Sequence, residues 1–292
     1  MHLRAEHKGI LLMIVGVAFI SANDAVSKYL AERYPLGEVI FLRQLAGLAF
    51  ILPYALMTTG AASFKIVDRV GQGWRAVAFI ATSVLMVAGL AYLPLAIVTA
   101  IAFSSPLWVA ALAGPMLGEK VPLKRWVAIL IGFAGVLVIV RPGGPSFSWF
   151  LLLPVATALA NAARDILTRK LSRTETSMSV LLWSALLMLV VSAAALPFGW
   201  VTPTFEDGLW FMLAGCLNMA AHLGMISAYR HADASALSPY RYTSLIWAIT
   251  LGWLVWSHLP DLWSLVGTAV IVTAAVLAVD RGGKKATGRA TN

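Results

Sequence analysis

The sequence predicts an all-α polytopic membrane protein, with ten transmembrane helices arranged as two inverted five-helix repeats. Three observations predict it. Of the 292 residues, 60% are hydrophobic and only 12% charged, too little polar surface for a water-soluble globule of this size. Ten apolar stretches each approach the roughly 20 residues that a spanning helix needs. The third observation is an internal echo: Asp24-Ala-Val-Ser-Lys-Tyr-Leu30 returns as Asp165-Ile-Leu-Thr-Arg-Lys-Leu171. Aspartate matches aspartate, Ser27 matches Thr168 and Lys28 matches Arg169, each in the same place of its own half. A stretch that recurs once per half marks a duplication.

In chain order the spans cover about Gly9–Ala31, Gly37–Thr58, Gly73–Tyr92, Leu95–Pro115 and Pro122–Val140, then Ser148–Arg169, Ser177–Pro197, Asp207–Tyr229, Ala234–Trp256 and Asp261–Asp280. The first continues into Asn23, Asp24 and Lys28 without a small-residue cleavage site, so it is expected to be retained rather than removed as a signal peptide. Connections such as Tyr92-Leu-Pro-Leu and Arg141-Pro-Gly-Gly-Pro-Ser are too short for a soluble domain. The chain therefore divides into residues 1–142, the first repeat, and 143–292, the second.

Lysine and arginine set the orientation. With the N-terminus inside, the inner connections, the span ends beside them (Arg75 among these) and the termini carry 16 of them, and the outer connections only Arg33 and Arg141. Both termini are then cytoplasmic, in a bacterial-type inner membrane. Because five helices is an odd number, the second repeat enters the membrane from the opposite side. The net charge of +9 thus has a membrane explanation, and no basic patch with interleaved aromatics points to nucleic acid.

The remaining four basic residues, Lys28, Arg43, Arg164 and Arg241, fall within spans. By depth, Asp24, Lys28 and Arg43 form an expected outer cluster, and Arg164, Asp165 and Arg241 an inner one. Buried charges in a bilayer are costly unless paired or wetted, so these clusters read either as gates that open in turn or as static pairs holding helices together. Pro106, beside Ser104 and Ser105, interrupts the fourth span, and Pro239, in Ser238-Pro-Tyr-Arg-Tyr242, interrupts the ninth. Interrupted helices in matching places of two inverted halves point to a solute site near the midplane, with packing as the other reading. Arg241 suits a carboxylate, and Tyr240 and Tyr242 offer ring contact. Asn218 and His222 share one face of the eighth span, as polar contacts or as a proton carrier, and Asn161 lies on the sixth. Trp108 and Trp247 match across the repeats and suit either a cavity wall or core packing.

No motif for hydrolysis, intramembrane proteolysis or nucleotide binding is present. Cys216 is the only cysteine, so neither a disulfide nor a cysteine-based metal site is expected, and the reading includes no catalytic residue, metal or cofactor. Partners are then the lipid bilayer and a small solute, with monomer and homodimer both open. A structural bundle with no solute is the alternative outside transport. It does not account for buried ionisable residues at matched depths.

Asn23-Asp24-x-x-Ser-Lys28, Ser-Ser-Pro106 and Gly118-Glu119-Lys120-Val-Pro resemble the EamA branch of the drug/metabolite transporter superfamily. The resemblance spans the chain; Ser257-His258 stands where the second half would repeat the glutamate. It implies a secondary transporter working by alternating access. Within it, resemblance to aromatic amino acid exporters of the YddG kind implies export of aromatic and other neutral amino acids. Resemblance to S-adenosylmethionine uptake carriers rests on Asn23–Lys28 and Ala-x-Ala-x-x-Pro-Tyr-Arg-Tyr at 234–242. Export is the leading expectation and S-adenosylmethionine uptake the alternative.

Overall fold

The computed structural model describes residues 2–58, 60–117, 123–144, 147–171, 174–229, 231, 237 and 240–278. Pro239, Ser238, Ala234 and the 118–122 turn lie outside the described residues. Eleven α-helices and no strand occur among the described residues: α1 His2–Ala31, α2 Leu36–Thr58, α3 Arg69–Tyr92, α4 Leu95–Ala102, α5 Ser105–Leu117, α6 Leu123–Val140, α7 Leu152–Leu171, α8 Ser177–Ala195, α9 Phe205–Tyr229, α10 Thr243–Trp256 and α11 Leu262–Ala278. Among these residues, seven stretches are long and apolar enough to cross a membrane, α4 and the start of α5 making one; three shorter apolar helices complete ten. Exposed side chains such as Leu11, Met57, Trp74, Leu130 and Leu277 form the apolar exterior that lipid requires.

Two boundaries differ from expectation for local reasons. The third span starts at Arg69 because Asp68 caps it, accepting the Gly71 N–H at 2.8 Å. The fourth span is two helices, broken at Phe103–Ser104. Pro106 then sits in the first turn of α5, where a missing N–H leaves no helical bond unmade.

Packing follows the duplication. α1 lies along α9 and α7 along α3, so the first helix of each half takes the third helix of the other. The fourth element of each half packs on the first of the other: α5 on α7 and α10 on α1. Equivalent helices pair directly, α2 with α8 and α6 with α11. Both pairs run antiparallel: Gly37 at the start of α2 meets Ala195 at the end of α8, and Ile139 near the end of α6 meets Gly267 near the start of α11.

Small residues allow the close approach that substitutes for a hydrophobic driving force in lipid. A Cβ added at Gly267 would stand 2.7 Å from the Gly135 carbonyl oxygen, and one added at Gly224 only 3.5 Å from the Gly16 Cα. At the α6–α11 end, Arg141 pairs with Asp261, which caps α11 through Ser264. Hydrogen bonds from Ser264, and then Arg141, hold the Asp261 carboxyl below the usual carboxylate range.

Gly267→Leu is expected to force α6 and α11 apart and cost about 1–3 kcal/mol by overpacking. Thermal unfolding in detergent reads this as a lowered midpoint; an unchanged midpoint would show that the close approach does not support the fold.

Candidate functional site

The two interrupted elements meet. Phe103 closes α4, Tyr242 precedes α10, and their rings lie 5.4 Å apart at 48°. These residues match each other across the repeats, so the contact is where the two halves' equivalent positions coincide. The elements that meet here, and α1, carry buried polar atoms without a hydrogen-bond partner among the described residues: Ser104 Oγ, Ser244 Oγ, Thr99 Oγ1, Asn23 Oδ1 and Trp108 Nε1. They come from α1, α4, α5, α10 and the break between α4 and α5. An unmet buried polar atom costs about 1–3 kcal/mol. Several on the elements that meet here give the interior hydrogen-bonding capacity that a polar solute can complete.

Ser21 Oγ on α1 donates to the Ser244 carbonyl at 3.4 Å, tying α1 to α10. Ser105 is buried at the start of α5. Trp108 packs on Phe133, with ring centroids 4.5 Å apart. Its repeat equivalent Trp247 is 38% exposed, so the matched tryptophans occupy unlike environments. Tyr240 packs instead against the cluster of Met13, Val17, Ala228 and Leu237.

The buried charges sort differently from expectation. Arg43 Nη1 donates to Ser27 Oγ at 3.0 Å and is the cation bearing electrostatically on Asp24, which accepts from Asn23 Nδ2 at 3.3 Å. Lys28 belongs elsewhere. Its Nζ donates to the carbonyls of Leu90 and Leu93, at 2.8 and 3.2 Å, and pairs with Glu32 at 2.9 Å. The orphan carbonyls at the end of α3 draw a cation strongly, and they lie within the reach of its long stem.

In the second cluster Arg164 pairs with Asp165 at 3.0 Å. Arg241 makes no hydrogen bond or ion pair among the described residues; its charge bears on Tyr242. The third cation of this cluster is Arg75, whose charge couples to Arg164 and Asp165. Arg75 is buried, donating from Nε to Thr168 Oγ1 at 3.1 Å and from Nη1 to the Val180 carbonyl at 2.9 Å and to Ser184 Oγ. Sequence reasoning counted Arg75 with the inner connections. The signal that finds it is its place two residues inside the expected third span, and the Asp68 cap, which moves the helix start four residues earlier, sets it further in. His222 on α9 lies within electrostatic reach of Arg164 and Arg75. Asn218, one turn before it, and Asn161, one turn before Asp165, are both half-buried.

A groove of about 550 Å³ between α2, α8 and α9 is lined by aliphatic side chains such as Leu45, Leu189 and Met212. It contains none of these polar residues.

Comparison with known proteins places this arrangement. The model of the EamA-like transporter family matches residues 7–141 and again 148–279. An S-adenosylmethionine uptake transporter of Rickettsia bellii is 31% identical over 93% of both chains. A riboflavin transporter of Rhizobium johnstonii is 29% identical over 94% of this chain and 91% of its own. A pseudopaline exporter of Pseudomonas aeruginosa is 24% identical over 92% and 94%.

Lys28→Met is expected to lower the thermal midpoint, because two buried carbonyls lose their donor at about 1–3 kcal/mol each. Asp24→Asn is expected to alter solute flux with little loss of stability. Intact flux and a lowered midpoint in Asp24→Asn would make Asp24 a structural residue.

Proposed function

The chain belongs to the EamA-like transporter family, and from that premise we propose that its solute is S-adenosylmethionine or a close chemical relative, taken up by alternating access. It is a multi-pass membrane transporter, not an enzyme. Full-length 31% identity to an S-adenosylmethionine uptake transporter carries the proposed solute. The expectation of aromatic amino acid export gives way to it, since an S-adenosylmethionine uptake transporter and a riboflavin transporter match at higher identity than the pseudopaline exporter.

The interior chemistry supports a solute of this kind. S-adenosylmethionine carries a flat heteroaromatic base, a sulfonium cation and an amino acid head. Phe103, Tyr242 and Trp108 offer ring faces, which attract cations and stack on bases. Ser104, Ser244 and Asn23 offer unmet hydrogen-bonding atoms. Arg241, with no ion-pair partner among the described residues, suits the head-group carboxylate. Riboflavin shares the flat heteroaromatic ring, which makes the ring contact the common element.

In the proposed cycle, residues 1–142 and 143–292 rock against each other about this midplane site. Both termini face the cytoplasm of a bacterial inner membrane. The outer mouth opens past Asp24 and Arg43, and the inner past Arg164, Asp165, Arg75 and His222.

Flux of radiolabelled S-adenosylmethionine, riboflavin, Phe and Met into proteoliposomes tests the solute. Saturable S-adenosylmethionine flux is expected, with the KM raised about tenfold in Tyr242→Ala, as loss of one cation–π contact of 1–2 kcal/mol implies, and little changed in Tyr242→Phe. Saturable flux of the amino acids without S-adenosylmethionine would restore the exporter reading.

A further inference from the structure

Two carboxylates outside the charged clusters occupy reciprocal positions. Glu38, on the first turn of α2, is fully buried, and its Oε2 accepts the Val201 N–H at 2.9 Å. Val201 lies in the connection between α8 and α9. Glu175, two residues before α8, is 9% exposed, and its Oε1 accepts the Val67 and Asp68 N–H groups at 2.7 and 2.8 Å. Val67 and Asp68 lie in the connection between α2 and α3. Each glutamate thus stands at the start of the second helix of its own half. Each holds the backbone just before the third helix of the other half.

Because α2 and α8 are antiparallel, these contacts fall at opposite ends of the pair. α8 has 19 residues, so at 1.5 Å per residue the two contacts are separated along it by about 28 Å, the thickness of the hydrocarbon core. We infer that Glu38 and Glu175 are reciprocal latches, one at each mouth, and that release of one accompanies tightening of the other. This rests on the alternating-access reading above and adds to it the atoms that hold each mouth shut.

The geometry suits a latch rather than a permanent tie. A carboxylate bound to loop N–H groups is a hydrogen-bond contact whose loop partner can be given up to water at an open mouth while the glutamate stays on its own helix. The second oxygen of Glu38, Oε1, has no hydrogen-bond partner among the described residues, so one of its two oxygens is uncommitted in this conformation. Neighbouring contacts reinforce each end. Tyr34 donates to Asp207 at 2.6 Å beside the Glu38 latch, and Ser179 Oγ donates to the Lys65 carbonyl at 2.7 Å beside the Glu175 latch. A rocking of the halves that lengthens the contacts at one end of α2 and α8 shortens those at the other.

Amide hydrogen exchange of the full chain in nanodiscs tests this, because the latched N–H groups report on themselves. In Glu38→Ala, the peptide containing Val201 is expected to exchange at least tenfold faster, and the peptide containing Val67 and Asp68 more slowly than in the wild type. Glu175→Ala should do the reverse. Glu38→Gln keeps an accepting oxygen and should stay near wild type. Should Glu38→Ala fail to fold, Val201→Pro removes only the donor, at a half-exposed loop position, and should slow the Val67–Asp68 peptide equally. Faster exchange at both mouths, or a change confined to the mutated one, would overturn the latches. S-adenosylmethionine flux measured in the same variants separates the two ideas. Flux without reciprocity sinks the latches alone; absence of flux for every solute in the wild type sinks the carrier reading and the latches with it.

Discussion

Inside a bilayer a polar group has no bulk water to accept or donate a hydrogen bond, so each must be satisfied by protein or by something the protein admits. In this chain many of those partners are found across the repeat boundary. Arg75 of the first half is held by Thr168, Val180 and Ser184 of the second, Tyr34 by Asp207, Arg141 by Asp261, and Glu38 and Glu175 by backbone of the opposite half. The two repeats are therefore interlocked rather than merely adjacent. Glycine-lined contacts between α6 and α11 and between α1 and α9 set their spacing.

That constraint also locates the working region. The elements that meet at Phe103 and Tyr242, together with α1, carry several buried polar atoms that lack partners among the described residues, and at the mouths Glu38 Oε1 and Gln72 Oε1 do so as well. Under the proposed function, the hydrogen-bonding capacity left on the elements that meet at Phe103 and Tyr242 is what the solute completes. The charged residues flank that middle on two levels: Asp24 with Arg43, and Arg164 with Asp165, Arg75 and His222. In the proposed cycle a solute moving between the levels passes the paired rings.

Much of this was legible in the residue pattern, and what was not has a common cause. The echo of Asp24 in Asp165 revealed the duplication, and the interruptions of the fourth and ninth spans named the two elements that turn out to touch, through Phe103 and Tyr242. Lys28 was misplaced because helical spacing says which residues share a face, whereas its long stem finds the carbonyls at the end of α3, more than 60 residues away. Arg75 was counted with the inner connection because it stands only two residues into the expected third span, whereas the cap at Asp68 starts the helix at Arg69 and sets it further in. The glutamates left no signal at all. Their partners are backbone N–H groups of distant loops, and such a partner carries no side-chain signature.

In the proposed cycle the two interlocked halves move oppositely at their two ends around a solute held in the middle. Electron spin resonance distances test it most directly, in a Cys216→Ser background with spin labels at positions 65 and 174 on one face and 92 and 202 on the other. On addition of S-adenosylmethionine the account predicts that one distance lengthens while the other shortens. Two distances that stay fixed, or move together, would contradict it.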